Sequence, residues 1–361
     1  WEFHNAGANV VVCRPHTPIE SPGFSPEQLA MVDGMMADLM RRLNLESYVA
    51  WFYTPMALPL ARRISPKAVV YDCMDELSAF LGAPPELMER ERELLKLADV
   101  VFTGGPSLYR AKQHRHPNVH CFPSSVDAAH YAKARPGMNH EAEDQKDLPK
   151  PRLGYFGVID ERIDYELIRY IATAHPEWQI AMVGPVVKVD PAVLPELPNI
   201  RYFGQRNYAD LPSYISGWDV CMLPFARNRS TQFISPTKTL EYMAADRMIV
   251  STPIRDVAEP YGHVVFLGDQ PAGFLAACER SLNINHTERV QRVLAMRDVL
   301  SRTSWDTTAR RMLALIESAI RKTEALEEGV FVPAAAHAGA NPAPRVVANS
   351  WRIPLSEAQG D

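Results

Sequence analysis

FISPTKTLEYMAADRMIVSTPI, residues 233–254, leads from a Ser-Pro-Thr-Lys run into an amphipathic segment and a short apolar run that closes on Thr-Pro. It is either a plain buried helix followed by a core strand or a helix whose N-terminus is shaped to hold phosphate. Ser235 can cap the helix, and Pro236 fits its first turn, where a missing N–H costs nothing. The amides of Thr237, Lys238 and Thr239 then point outward unpaired, carrying the partial positive charge of a helix N-terminus. Lys238 opposes that dipole, a small cost that is offset if an anion joins it; the alternative is a solvated lysine. Glu241 falls four residues after Thr237, on the next turn and the same face. A carboxylate there can accept hydrogen bonds from two ribose hydroxyls, or it is an ordinary surface glutamate.

The pattern on either side favours a doubly wound context. Short apolar, β-branched runs at 9–15, 48–55, 68–76, 99–105 and 119–125 alternate with helical spacing at 26–45, 84–98 and 106–115. A second series of strand-like runs follows at 152–159, 178–185, 200–204, 219–225, 248–253 and 263–268, with helical patterns after it at about 271–283 and 288–321. Between the two series, residues 129–150 are charged and lack an apolar period, which reads as a linker. The sequence therefore predicts an α/β protein of two Rossmann-like, doubly wound domains. The expected spans are 1–128 for the first, 151–322 for the second with a final crossing helix, and 323–361 for a disordered Ala/Pro-rich tail. Ligands of such a pair bind at the C-terminal strand ends, in the cleft between the sheets.

Composition narrows the function classes. A net charge of −5 gives no global basic field for nucleic acid. The five cysteines are scattered, with no CxxC and no Cys/His cluster, as expected of reduced, buried thiols in a cytoplasmic protein and not of a disulfide framework or zinc site. No apolar run reaches the roughly 18 residues of a spanning helix. Val32, Met35, Met36 and Leu39 read as core, or as an apolar face that docks on a membrane surface.

SPTKTLEYMAADRMIVSTPI resembles the nucleotide-sugar signature of GT-B glycosyltransferases of the family 1 and family 4 group, matching at Ser235, Pro236, Lys238, Glu241, Tyr242 and Ala244. In the same order along the chain, FPSSVDAAHY (122–131), LGYFGVIDERID (153–164), IRYFGQRNYADLPSYISGWDVCMLPF (200–225) and SW (304–305) resemble further segments of that group. VVYDCMDELSAF is similar to a bacterial subgroup of the teichuronic acid type that acts in cell-surface polysaccharide synthesis. The resemblance covers roughly residues 65–320. It implies a retaining transfer of a sugar from a nucleoside-diphosphate donor to a glycan or lipid-linked acceptor, with no metal or other cofactor. It further implies that the Gly157 turn lets backbone approach the diphosphate, with Arg162 and Lys238 as the cations that stabilise the leaving group. The same resemblance implies that Ser235, Pro236, Thr237 and Thr239 shape the phosphate seat and that Glu241 binds ribose. Gln205, Arg206 and Tyr208 lie where the group contacts the base, or form a polar turn.

In the first series, Asp72, Asp75 and Glu76 end the AVVY strand, where they can orient sugar hydroxyls; one of them, Asp75, can instead cap the next helix. Ser107 after FTGGP reads as cap, ligand contact or both. Two positions depart from the pattern: Phe233 replaces a sugar-binding glutamate, and Asp246 replaces a glycine. The chain starts at Trp1 without a methionine and reaches NVVVCRP within about ten residues, so a truncated first domain is expected. A sugar-nucleotide epimerase on the same fold and a nucleotide-binding protein with little transfer activity remain the alternatives.

Overall fold

The computed structural model describes residues 1–21, 23–138 and 140–327. The chain divides into two compact units: residues 1–48, 59–66 and 320 onward, and residues 49–58 with 67–319.

In the first unit, β1 (Glu2–Gly7) and β2 (Val10–Arg14) form an antiparallel hairpin that pairs Glu2 with Arg14 and Phe3 with Cys13. The 9–15 run is therefore an arm of a hairpin and not the first strand of a parallel sheet. Gly7, Ala8 and Asn9 supply the tight turn, and Glu2 pairs with Arg14 and His16 across the arms. Cys13 is only half-buried there. Helix α1 (Pro26–Leu43) has Ser25 as its N-cap, proline at its first position and a left-handed Asn44 at its C-cap. It buries Leu29 and Leu39; Val32, Met35 and Met36 are half-covered.

The second unit holds both parallel sheets. In the first sheet, β3 (Val49–Phe52), β4 (Ala68–Cys73), β5 (Val100–Thr103) and β6 (Val119–Cys121) lie in chain order. Every residue of β4 and β5 is buried, as strands covered on both faces require. Helices α2 (Leu87–Leu97) and α3 (Pro106–Lys112) accompany them. Glu91 of α2 is buried and accepts from Tyr71 Oη (3.0 Å), Lys112 Nζ (2.6 Å) and Arg115 Nη1 (2.6 Å), so its charge is fully paired.

The chain then runs through α4 (Ala128–Ala132) into β7 (Arg152–Phe156), α5 (Tyr165–Ala174), β8 (Gln179–Val183), β9 (Ile200–Gly204), α6 (Leu211–Ser216) and β10 (Val220–Leu223). It continues through α7 (Lys238–Ala244), β11 (Met248–Ser251), α8 (Arg255–Tyr261), β12 (Phe266–Leu267), α9 (Gln270–Leu282), α10 (His286–Ser301) and α11 (Trp305–Glu327). The strand order β12-β11-β10-β7-β8-β9 is that of a Rossmann sheet, with its reversal between β7 and β10. Helices α5 and α9 pack together, as do α4, α7 and α10, giving two helical layers. Gly154 in β7 is a packing requirement: a Cβ there would lie 1.9 Å from the buried Trp218 ring.

The polar stretch 129–150 differs from the expected linker. It carries most of α4, buries His130, Tyr131, Ala134 and Gln145, and packs on the second sheet. Gln145 donates to the carbonyl of Tyr214 (2.7 Å) and accepts from Trp218 Nε1 (3.1 Å). A few buried polar contacts hold the segment, and these leave no apolar period to read. The helical pattern at 288–321 is two helices, α10 and α11, and the second starts at Trp305 and continues beyond 322 to Glu327. The tail from 328 lies outside the described residues. Among the described residues no helix is long and apolar enough to cross a membrane.

Gln145→Ala would strip the buried Trp218 N–H and Tyr214 carbonyl of a shared partner. A loss of about 1–3 kcal/mol is expected in urea unfolding, whereas an unstructured linker would show no change.

Candidate functional site

The reversal between β7 and β10 is where open α/β sheets bind ligands, and Gly157 is the first residue beyond β7 there. Its φ is +135°, and a Cβ on it would lie 2.2 Å from Cε of Lys238 and 2.7 Å from Nζ. Gly184, just past β8, has φ +145°, and a Cβ on it would lie 1.9 Å from the Gly157 carbonyl oxygen. Two bare strand ends thus let backbone and the lysine share one crevice.

Helix α7 enters the crevice differently from expectation. Thr237 is the N-cap, not Ser235, and it has helical dihedrals (φ −55°, ψ −33°) and makes no capping bond. The amide of Thr239 bonds the Pro236 carbonyl at 3.2 Å, so it is not among the free donors, and the Thr239 side chain is wholly buried with Oγ1 unpartnered. With only seven residues, α7 offers a short dipole, and what faces the crevice is the charge of Lys238.

Lys238 makes no ion pair among the described residues; its ammonium lies 5.7 Å from the Tyr155 ring centroid and 6.0 Å from that of Phe156. Burial lowers its pKa below the usual lysine value, and repulsion from Arg162 adds to this, against the opposing charges of Glu241 and Asp160. One turn along, Glu241 has Oε2 buried without a partner. Burial raises its pKa, opposed by Lys238 and the Tyr131 hydroxyl. A cation and a carboxylate with unused bonding capacity therefore lie on one helical turn.

Arg162 is the second cation. Asp160 holds it in a fork, Nε to Oδ1 at 2.9 Å and Nη2 to Oδ2 at 2.7 Å, and its guanidinium carbon lies 5.6 Å from the centroid of Phe80 in the first-sheet loop. Lys188 approaches the same ring at 5.5 Å. Asp75 belongs to this group: burial raises its pKa and Arg162 opposes the shift.

The three acids after β4 diverge. Asp72 accepts from Trp51 Nε1 at 3.2 Å and leaves Oδ1 unpartnered, Asp75 interacts with Arg162, and Glu76 pairs with Lys112 at 2.7 Å. Among the described residues no group of three or more His, Cys, Asp or Glu could hold a metal. Asp75 caps no helix; the short helical turn that follows begins after Glu76. Glu76 borders a cavity of about 290 Å³ together with Phe233, the residue found in place of the expected sugar-binding glutamate.

Four further expected site residues, Arg206, Gln205, Tyr208 and Ser107, meet the following surroundings. Arg206 is committed to Asp144 (2.7 Å) and the Tyr214 hydroxyl (2.5 Å), which leaves little of it for a base. Gln205 is exposed, while Tyr208 stacks on His130 at 4.0 Å and stands edge-on to Tyr131 at 5.8 Å. Ser107 is not the cap of α3; Gly105 is, and the Ser107 amide donates to Asp256 Oδ1 at 3.0 Å while its own Oγ is buried and unpartnered. Sequence reading missed Asp160, Gly184 and Tyr131. Gly184, before the proline of MVGP, and the DER spacing of Asp160 to Arg162 were the available signals; Tyr131 acts through Glu241, far along the chain.

Asp72 is 3% exposed, and burial raises its pKa from 3.8 to about 6, with the Trp51 bond opposing. The folded state then holds its proton more tightly than the unfolded chain, so stability falls as pH rises from 3.8 through 6. Asp72→Asn removes that penalty. It is expected to raise unfolding free energy by up to about 3 kcal/mol near pH 8 and by little near pH 4, in paired urea titrations. An equal effect at both pH values would contradict this account.

The glycosyl transferases group 1 family matches residues 150–283. A curated relative, the putative teichuronic acid biosynthesis glycosyltransferase TuaH of Bacillus subtilis, is 26% identical over 293 residues, spanning 75% of this chain and 72% of that protein. Among solved structures, the UDP-forming α,α-trehalose-phosphate synthase of Burkholderia xenovorans is similar at TM-score 0.61 and 16% identity, covering 80% of this chain and 77% of that one. A sucrose-phosphate synthase from Thermosynechococcus elongatus is similar at TM-score 0.59 and 15% identity, covering 82% and 79%. The Gly157–Lys238 crevice lies inside the matched segment. Residues 150–283 match a glycosyl transferases group 1 domain within a GT-B fold, and the chain is a glycosyltransferase.

Proposed function

We propose that the enzyme transfers a sugar, with retention of configuration, from a nucleoside-diphosphate sugar to a glycan or lipid-linked acceptor in bacterial cell-surface polysaccharide synthesis. One observation carries the donor half of this reading: among the described residues, Lys238 lies without an ion pair against the bare Gly157 backbone, one turn from the unpartnered Oε2 of Glu241. A diphosphate would restore the charge that burial disfavours on Lys238, and ribose hydroxyls would satisfy Glu241. Arg162, fixed by Asp160, adds a second charge on the same phosphates.

The chemistry asked of these residues is electrostatic. As the bond from the anomeric carbon to the phosphate oxygen breaks, negative charge grows on the nucleoside diphosphate, and preorganised cations stabilise it more in that state than in the bound donor. The acceptor oxygen bonds to the anomeric carbon, and its proton passes to a phosphate oxygen of the leaving group, so no protein base is needed. Tyr208, exposed and stacked on His130, offers a ring face to the base. No metal enters this scheme. The likeness to the teichuronic acid relative supports the polysaccharide context, and the reading places the enzyme in the cytoplasm, peripheral to the membrane where the acceptor is on lipid.

Isothermal titration with UDP, GDP and ADP tests the donor site. At least one should bind, and Lys238→Ala and Glu241→Ala should each weaken it. Lys238→Ala should also lower kcat by roughly 10²–10³, the range for losing one preorganised charge-stabilising donor. Absence of binding by all three nucleotides would sink the reading.

A further inference from the structure

A cavity of about 740 Å³ opens at the other pole of the second sheet, away from the donor crevice. Its walls come from the residues that lead into β7, β8, β10 and β11, with the end of α9 and the first turn of α10. Ligands of open α/β sheets bind at the opposite, C-terminal strand ends. Lys150 on this wall and Gly157 in the crevice stand at the two ends of β7, roughly 20 Å of strand apart. A molecule seated here cannot touch the atoms that react in the crevice.

Lys150, His175, Arg247 and Arg289 bring positive charge to the cavity, and Asp219 and Glu279 bring negative charge. Both acids are already committed. Asp219 accepts from the Arg152 amide at 2.7 Å and pairs with Lys150 at 3.3 Å. Glu279 lies 3.1 Å from His175 Nε2, and Glu177 lies 2.7 Å from Nδ1. Ionised carboxylates only accept, so this pair of contacts favours the doubly protonated ring. Arg247 and Arg289 are left without a carboxylate. Arg247 directs Nη1 to the Trp218 carbonyl at 2.9 Å and Nη2 to those of Ala134 and Ser216 at 2.8 Å, while its Nε has no partner. Carbonyl dipoles satisfy N–H groups but do not cancel a full charge. Burial lowers the Arg247 pKa and Arg289 repels it further, with Asp219 and Asp246 opposing. Asp246 is itself held by Arg135 at 3.0 Å and Arg297 at 2.6 Å. Half-buried Arg289 makes no ion pair and no side-chain hydrogen bond among the described residues.

We infer that this cavity is a binding site for a small phosphate monoester, with Arg289 and the charge of Arg247 holding the phosphate and the His175–Trp178 stack bordering its organic part. The inference does not rest on the transferase reading. Two positive charges without a carboxylate match the charge of nearly −2 that a phosphate monoester carries near neutral pH, and a guanidinium fork fits its oxygens. A carboxylate ligand would match only one of them. An anion at this place also relieves the repulsion between the two arginines, which no acid of the protein does. The volume lies in the range of small-molecule pockets, about 300–1,000 Å³, so a bare phosphate ion would leave most of it empty. His175 lies flat on Trp178, with ring centroids 3.8 Å apart and 6° between planes. Such a stack, with Leu282 nearby, gives a sugar or base ring a surface to pack on.

Isothermal titration with glucose 6-phosphate, glucose 1-phosphate, AMP and inorganic phosphate, at a fixed ionic strength of about 0.15 M, tests the site and separates a sugar ester from a nucleotide. At least one ester should bind with a Kd below about 1 mM, and at least about tenfold more tightly than inorganic phosphate. Arg289→Ala should weaken that ester at least about tenfold, and Arg289→Glu should abolish its binding. Arg289 bonds to nothing in the fold, so both variants should unfold at the temperature of the parent chain and keep its UDP affinity. No ester binding up to about 20 mM overturns the proposal, as does inorganic phosphate binding as tightly as every ester. An affinity that falls in Lys238→Ala and not in Arg289→Ala also overturns it, since the ester then sits in the donor crevice. Ester binding without UDP binding would count against the donor crevice alone, and the converse against this cavity alone.

Discussion

A side-chain carbon on Gly157 would stand 2.2 Å from Cε of Lys238, and the Gly157 carbonyl in turn excludes one from Gly184. These contacts leave the ends of β7 and β8 bare and let α7 approach until its first residue lies against them. Closeness makes the crevice both useful and costly. The lysine is drawn out of water next to another cation, and its ammonium is disfavoured as a result. Such an arrangement persists because the strands behind it, β7, β8 and β10, are buried along their whole length and do not yield.

The cost is spread over side chains that stay partly unsatisfied. Among the described residues, Glu241, Thr239 and Asp72 each retain a buried polar atom without a partner, although most of the buried polar groups around them are bonded. Elsewhere in the same unit, charge is neutralised locally. Glu91 gathers Lys112, Arg115 and Tyr71, and Arg152 is held by Glu141 and the carbonyls of Lys146 and Leu148. On the reading proposed above, the contrast is between residues that hold the fold and groups such as Lys238 and Glu241 that a ligand would satisfy. Arg206 belongs with the first kind, although its place in the sequence pattern suggested the second.

Legibility in the sequence followed locality. The strands of both sheets were readable because each is a short, largely apolar run, and the approximate place of α7 was readable from its Ser-Pro-Thr-Lys opening. Segment 129–150 was misread because Gln145, His130 and Tyr131 are held by partners about 70 to 110 residues away, a distance that leaves no periodic trace. The hairpin at the N-terminus was misread because its strand pattern does not reveal the partner or its direction.

By itself the sequence determined the alternation of strands and helices, the two series, and the presence of a glycine, an arginine, a lysine and a glutamate suited to a sugar nucleotide. Local spacing and residue chemistry suffice for that. Only the tertiary structure decided which of these groups remain free. It joined Asp256 to Ser107, brought Tyr131 to Glu241 and withdrew Arg206 toward Asp144. The reason is physical: a polar group becomes available or committed through its neighbours in space, and most of these lie far away along the chain.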